Sequence, residues 1–117
     1  MAERREWSVE VSEPWFGLLE SGEKTVEGRK ASPKWRDVQV GDALLFRSSD
    51  GRSFRKSVAA VRFYAGPTAL ADFVEREMEA ALPGIQTTEE GSSTYLQWWT
   101  LEEIRNWGVL ALEVASP

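Results

Sequence analysis

The sequence contains no cysteine and no histidine. The first absence excludes disulfides, thiol catalysis and cysteine-based zinc sites, and it fits a reducing compartment, so we expect a cytoplasmic protein. The second absence excludes Ser-His-Asp and Cys-His catalysis, histidine-ligated metals and a histidine general base. Any chemistry must therefore depend on lysine, threonine, serine, tyrosine, glutamate or aspartate, and we expect neither a metal nor another cofactor.

Long apolar runs are also missing. No stretch approaches the length of a membrane span, and the charged start from Met1 to Glu6 does not resemble a secretory signal. We therefore expect no membrane partner. A chain of 117 residues is large enough for one modest core and too small for two. The expectation is a single domain over residues 1–117, with its core at about 7–115.

Charge is unevenly distributed along the chain. The net charge is −5, yet residues 22–62 hold ten basic and five acidic residues, a local charge of +5. A locally positive surface on an acidic protein can attract phosphates. The alternative is that these basic residues scatter over several faces and form no patch. Both interpretations are open at this point.

Periodicity and turn residues predict the element order β-α-β-β-β-α-α-α-β. Asp50-Gly51 indicates a hairpin, and Thr100 with Glu103 matches a helix capping box ended by Gly108. The predicted strands cover 6–11, 24–30, 43–47, 54–64 and 109–114; the predicted helices cover 13–21, 68–82, a short part of 87–99, and the segment after Thr100; 31–39 is predicted as a loop. This order predicts an α+β fold, a small, mostly antiparallel β-barrel with helices over its ends.

The segment 14–29 concentrates polar residues beside an apolar helix. Glycine at position 22 is suited to end the helix, because it adopts the left-handed cap conformation without a Cβ clash. Lys24 and Thr25 follow at once, and Glu27 and Arg29 come two and four residues after Thr25. On a strand, alternate residues share one face. The segment is therefore the main candidate site.

The same segment carries a resemblance to a known family. The chain resembles the ASCH domain, within the PUA-like superfamily, through a motif supported by the Val40-Gly41-Asp42 turn and by Trp107-Gly108-Val109 near the end. The motif residues are Pro14, Trp15, Leu18, Leu19, Ser21, Gly22, Lys24, Thr25, Glu27 and Arg29. The resemblance implies a five- or six-stranded PUA-like barrel with a cleft beside the first helix. It also implies RNA, single-stranded nucleic acid, or a nucleoside or nucleotide as the partner.

One branch of ASCH proteins hydrolyses N4-acetylcytidine with a lysine, a threonine and a glutamate. The lysine corresponds to Lys24. The glutamate lies in or near the helix after the long strand, where Glu75, Glu77 or Glu79 could correspond and Glu77 is our choice. The branch's threonine falls at the position of Glu27, so this chain departs from the pattern at the nucleophile. If the protein is an enzyme, Lys24, Glu27 and Glu77 are the candidate catalytic residues.

Each candidate also has a purely structural interpretation. Lys24 beside Trp15 is predicted to have a lowered pKa through desolvation, and the motif favours this site interpretation; the alternative is an exposed lysine paired with Glu20 or Glu23. Glu27 and Arg29 could bind a base or phosphate, or could brace the sheet. Thr25 is a ligand candidate, and equally a β-branched strand residue.

Six tryptophans occur in this short chain, and most of them must belong to the core. Trp98 and Trp99 are about 100° apart on a helix, so both cannot point fully inward. One of these two, or Trp35 in its basic loop, is therefore a candidate to stack on a nucleobase, and of the two we choose Trp98.

Three functions remain open on the sequence alone. The first is binding of single-stranded or modified RNA, or of a nucleoside, in the cleft by Trp15, Lys24, Thr25, Glu27 and Arg29 with Trp35 and Trp98. The second is a small amidohydrolase acting on N4-acetylcytidine-like nucleosides, or a weak ribonuclease. The third is an interaction module that uses the acidic face of 68–103.

Overall fold

The computed structural model describes residues 4–117. Residues 1–3, which begin the predicted domain and its charged start, lie outside the described part. The described elements follow the predicted order, with one additional 3₁₀ turn at Trp35–Asp37 inside the predicted loop. The strands are β1 (Glu6–Glu10), β2 (Val26–Lys30), β3 (Ala43–Arg47), β4 (Ser53–Tyr64) and β5 (Val109–Ala115), and the helices are α1 (Trp15–Ser21), α2 (Ala69–Ala81), α3 (Thr88–Tyr95) and α4 (Leu101–Trp107).

The five strands form one sheet in the order β1-β3-β4-β5-β2. β1 pairs with β3 in parallel, and the remaining pairs are antiparallel. The sheet curls into a half-barrel whose edges are β1 and β2, and no ladder joins these two strands in the part of the chain described. The predicted α+β class is confirmed. The expected closed barrel of five or six strands is only roughly matched, because the seam between β1 and β2 stays open.

Both faces of the sheet are buried at its centre, and β5 shows why. Val109 and Ala111 pack with α2, α3 and α4 on one face, whereas Leu110, Leu112 and Val114 pack on the other face with α1. A strand covered on both faces reads as a continuous apolar run, as this one does. The two cores hold the sheet between helical layers and leave its edges as the accessible sites.

β2 begins two residues later than the sequence predicts. The Lys24 N–H donates to the Leu18 carbonyl, and the Thr25 N–H donates to the Ala80 carbonyl at the end of α2. These two N–H groups are therefore held by helices rather than by a strand neighbour. The pattern of alternate residues could not reveal this, because one acceptor belongs to the preceding helix turn and the other to α2, more than fifty residues later.

In residues 4–117, no helix is both long enough and apolar enough to cross a membrane.

Candidate functional site: a cleft at the open seam of the sheet

A cleft of about 330 Å³ lies between the two edge strands. The end of β1 supplies one wall, β2 supplies the other, and side chains from α1 and from the end of α3 complete it. The lining residues are Glu10, Val11, Ser12, Trp15, Lys24, Glu27, Gly28, Arg29, Lys30, Leu82, Tyr95, Trp98 and Trp99. The cleft therefore lies where closure of the barrel would otherwise have joined β1 to β2.

The turn after α1 places the first charged group in this cleft. Gly22 ends α1 with φ of 89°, a left-handed conformation that favours glycine, and its N–H donates to the Leu19 carbonyl. The chain then doubles back, and the Lys24 side chain turns under the start of β2 with only 3% of its surface exposed. The end of α1 at Gly22 thus places the Lys24 ammonium group in the interior.

Three acceptors surround the Lys24 ammonium. Its Nζ lies 2.5 Å from the Val26 carbonyl oxygen, 2.6 Å from the Ala81 carbonyl oxygen and 3.3 Å from Glu27 Oε1. Burial lowers the pKa of Lys24, and the neighbouring Glu27 carboxylate opposes that shift. An ammonium has three N–H donors, so these three acceptors match the protonated form. The group ties β2 to the end of α2 and holds a carboxylate at the cleft.

Glu27 lies between two cations. Its Oε1 faces Lys24, and its Oε2 accepts a hydrogen bond of 2.7 Å from Arg29 Nη2. Arg29 Nη2 also lies 3.3 Å from the Glu10 carbonyl oxygen at the end of β1, so the arginine crosses the seam between the edge strands. The charge triad Lys24–Glu27–Arg29 thus carries one net positive charge into a largely desolvated cleft.

Aromatic rings form the opposite side of the cleft. Trp99 stacks on Tyr95 at 4.7 Å between ring centroids, and Trp98 meets Tyr95 edge to face at 6.1 Å. Trp98 is 48% exposed, whereas Tyr95 and Trp99 are buried. Two buried polar atoms at the cleft, Arg29 Nε and the Tyr95 hydroxyl, have no hydrogen-bond partner within residues 4–117.

The ASCH domain model matches residues 9–117, nearly the whole sequence. The chain belongs to the ASCH domain family. A comparison with functionally curated proteins finds no match.

Solved structures place this ASCH domain beside several similar proteins. The hypothetical protein PH0355 is 30% identical, with a TM-score of 0.82, over 93% of this chain and 96% of that one. Protein PF0455 from Pyrococcus furiosus is 28% identical, with a TM-score of 0.70, over 93% of this chain and 94% of that one. The ASCH protein from Zymomonas mobilis is 14% identical, with a TM-score of 0.68, over 97% of this chain and 69% of that one, a likeness of fold.

Five of the predicted site residues of this ASCH domain line the cleft: Trp15, Lys24, Glu27, Arg29 and Trp98. Thr25 and Trp35 do not line it. The centre of the Trp35 ring lies 5.5 Å from the Arg29 guanidinium carbon and 4.8 Å from Lys34 Nζ. Trp35 therefore contacts the arginine outside the cleft lining.

Glu77 lies on a different part of the ASCH fold from the cleft lining. Its carboxylate receives two hydrogen bonds from Arg62, of 2.7 and 2.8 Å, and one of 2.5 Å from the Tyr64 hydroxyl. The Arg62 hydrogen bonds lower the pKa of Glu77, against the opposing effect of burial. The α2 face that carries Glu77 packs on β4, and this is why the residue pairs with the partly exposed Arg62 rather than lining the cleft.

Neither Gly28 nor Tyr95 was predicted as a site residue, and Trp99 was only the alternative to Trp98. Tyr95 and Trp99 are four residues apart, so a helical register predicts that they share a face, and that register was the available signal. Gly28 has no side chain, so its residue type alone indicates no role in binding. In residues 4–117 of this ASCH domain, no cluster of three or more acidic groups could hold a metal ion.

Proposed function

We propose that this ASCH domain binds RNA or a nucleotide by taking one unpaired base into the cleft. The observation that carries the proposal is the combination, in one cleft, of stacked aromatic rings with a buried, net positive charge triad. Family membership supports the same function. A flat apolar ring with a polar edge and an anionic phosphate is the ligand class that such a combination suits.

The aromatic side supplies the stacking surface. Trp98 is the half-exposed member of the group, so its face is available to a ligand without displacing core residues. Stacking of a base on an aromatic side chain contributes about 1–3 kcal/mol. Trp98 packs edge to face on Tyr95, which is itself stacked on Trp99, and the stacking surface is therefore held in place before a ligand arrives.

The charge triad supplies polar contacts to the base edge or to a phosphate. Arg29 is fixed by Glu27 and by the Glu10 carbonyl, so its guanidinium is held in one orientation at the cleft. A held guanidinium loses less side-chain entropy on binding than a free one. Arg29 is thus the residue that we expect to contact phosphate or a base oxygen.

The wider basic segment contributes little to a phosphate track. Of the ten basic residues in 22–62, six form ion pairs with carboxylates among the described residues, including Lys30 with Glu103 and Arg55 with Glu6. Paired cations release few counterions when nucleic acid binds. The arrangement therefore favours a ligand of one or a few nucleotides over a long strand held by its backbone.

Titration calorimetry with the four ribonucleoside 5′-monophosphates tests the proposal. We expect at least one to bind, and we expect Trp98→Ala to weaken that binding by about 1–3 kcal/mol. Phe63→Ala is the matched control, because Phe63 is another exposed aromatic, 54% exposed, that does not line the cleft. Absence of binding by all four nucleotides, or equal losses in the two variants, would contradict the proposal.

A hydrolytic function is the second candidate, and the buried Lys24 beside Glu27 favours it. Burial lowers the pKa of Lys24, which is the direction that a lysine base requires. Against this, its three acceptors match an ammonium that has no free electron pair. Incubation with N4-acetylcytidine tests the candidate. Release of cytidine that is lost in a Lys24→Met variant still folded by circular dichroism would establish it, and an unchanged substrate would exclude it.

A further inference from the structure

We infer that the base is recognised along its polar edge by the main chain of Gly28 and the hydroxyl of Tyr95. The inference deepens the proposed function and rests on it. Specificity for the base would then come from the N–H and C=O of Gly28 and the hydroxyl of Tyr95, and none of these groups belongs to the charge triad. The chemistry favoured at that edge is a ring with two hydrogen-bond acceptors and one donor.

The pairing of β2 with β5 decides which main-chain groups face the cleft. The Thr25 carbonyl accepts from the Val114 N–H, and the Ala31 N–H donates to the Gly108 carbonyl. In an antiparallel pair, hydrogen-bonded and non-hydrogen-bonded positions alternate. Positions 27 and 29 of β2 therefore bond to β5, and the N–H and C=O of Gly28 point away from β5, toward the seam.

Lys24 confirms this alternation. Val26 is the preceding outward-facing residue, and its carbonyl is the one that Lys24 Nζ reaches at 2.5 Å. The outward carbonyl of Val26 accepts from a buried cation, whereas no loop or helix in residues 4–117 bonds to the outward N–H and C=O of Gly28, a buried residue that lines the cleft.

Gly28 brings the Tyr95 ring against this edge. A Cβ at position 28 would lie 2.7 Å from Phe73 Cζ and 3.2 Å from both Cε1 and the hydroxyl oxygen of Tyr95. No side chain fits there without displacing Phe73, so glycine is what allows the tyrosine to approach the strand. The hydroxyl of Tyr95 and the main-chain groups of Gly28 consequently lie beside each other at the cleft.

The Tyr95 hydroxyl has no internal partner. Tyr95 is only 4% exposed, and its hydroxyl oxygen forms no hydrogen bond with any residue in 4–117. An unpaired buried polar group destabilises a fold, so its presence at a cleft points to a ligand that satisfies it. Burial, with the Glu27 carboxylate nearby, raises the pKa of Tyr95, so the phenol keeps its proton and can donate it in a hydrogen bond.

The edge formed by Gly28 and Tyr95 thus offers two donors, an N–H and an O–H, and one acceptor, a C=O. The complementary ligand edge carries two acceptors and one donor. Uracil and cytosine have such an edge, whereas the corresponding edge of guanine has one acceptor and two donors, and that of adenine has one of each. The geometry therefore favours a pyrimidine with an unpaired Watson–Crick edge.

Methylated ligands test the inference directly. For the pyrimidine nucleotide that binds more tightly, the 3-methyl derivative blocks the polar edge and the 5-methyl derivative leaves it free. We expect the 3-methyl form to bind at least about tenfold more weakly than the 5-methyl form, since it loses a hydrogen bond and buries a methyl group against Gly28. Equal affinities, or tighter binding of a purine nucleotide, would overturn the inference while the proposed function stands. Failure of every nucleotide to bind would overturn both.

The two tyrosines of the chain provide matched variants. Tyr95→Phe should weaken pyrimidine nucleotide binding about three- to tenfold without lowering the melting temperature of the free protein, because its hydroxyl is unpaired there. Tyr64→Phe should do the reverse, since that hydroxyl donates to Glu77 and the residue does not line the cleft. Unchanged affinity in Tyr95→Phe would overturn the role of its hydroxyl.

Discussion

Replacing Lys24 with methionine removes the cation that joins β2, α2 and Glu27. Loss of one partner from a buried ion pair costs about 3–5 kcal/mol. Each of the two carbonyls that lose their donor adds about 1–3 kcal/mol if it stays unsolvated. Two effects reduce this loss: the ammonium no longer has to be buried, and Arg29 still pairs with Glu27. We expect the free energy of unfolding to fall by about 3 kcal/mol.

Urea unfolding followed by circular dichroism measures this change. The midpoint should fall with the slope unchanged, and the melting temperature should fall by about 12 °C for a domain of this size. Lys30→Met is the control, because the Lys30–Glu103 pair is partly exposed and should contribute less than about 1 kcal/mol. A loss below about 1 kcal/mol in Lys24→Met, or equal losses in both variants, would refute the structural role assigned to Lys24.

Three further predictions concern the loss of stability at low pH, the substitution of Gly108 and the salt dependence of ligand binding. The Arg62 hydrogen bonds lower the folded-state pKa of Glu77, so this carboxylate stabilises the fold fully above its unfolded pKa of about 4.5. The stabilisation is lost as the pH falls through the lower folded value. Glu77→Gln should therefore flatten the fall in the free energy of unfolding from about pH 5 to pH 3, and an unchanged pH profile would contradict this. Gly108→Ala should cost about 3 kcal/mol in urea unfolding, since φ is +83° and the new Cβ would lie 2.6 Å from the Tyr64 carbonyl oxygen; wild-type stability would refute it. Binding of a short oligoribonucleotide should depend weakly on salt, with a log–log slope of about −1.4 for about two phosphate contacts; a slope near −5 would show a phosphate track.

Local sequence signals predicted most of the elements because their causes are local. The capping box is present as predicted: the Thr100 hydroxyl accepts from the Glu103 N–H, and the Glu103 carboxylate accepts from the Thr100 N–H. Asp50-Gly51 connects β3 to β4, and Gly22 ends α1 in the left-handed conformation. In each case, a residue's own conformational preference determines the outcome.

The open seam could not be predicted, because it depends on pairing between distant strands. β1 pairs in parallel with β3 from Glu6↔Ala43 to Glu10↔Arg47, and β2 pairs with β5 at the far end of the chain. Nothing within either strand specifies these partners. The alternation of side chains is compatible with a closed barrel or an open one, and only tertiary packing decides between them.

Only those residues of the candidate cleft that are close in sequence could be predicted together. Lys24, Glu27 and Arg29 are close in sequence, so their clustering follows from one turn and one strand. Tyr95 reaches the cleft only because Gly28, 67 positions earlier, has no side chain. Glu77, the catalytic candidate from the resemblance, pairs with Arg62 on β4 and does not line the cleft, and nothing in its own helix indicates that partner.

A nuclear magnetic resonance titration tests most directly whether the cleft at the seam binds a nucleobase. With ¹⁵N-labelled protein and the tightest-binding of the four nucleoside monophosphates, we expect the largest shifts at the Gly28 amide and the Trp98 indole N–H. The Gly66 amide, which does not line the cleft, should not move. Shifts confined to the acidic surface around Glu75 and Glu89, or none at all, would contradict the account.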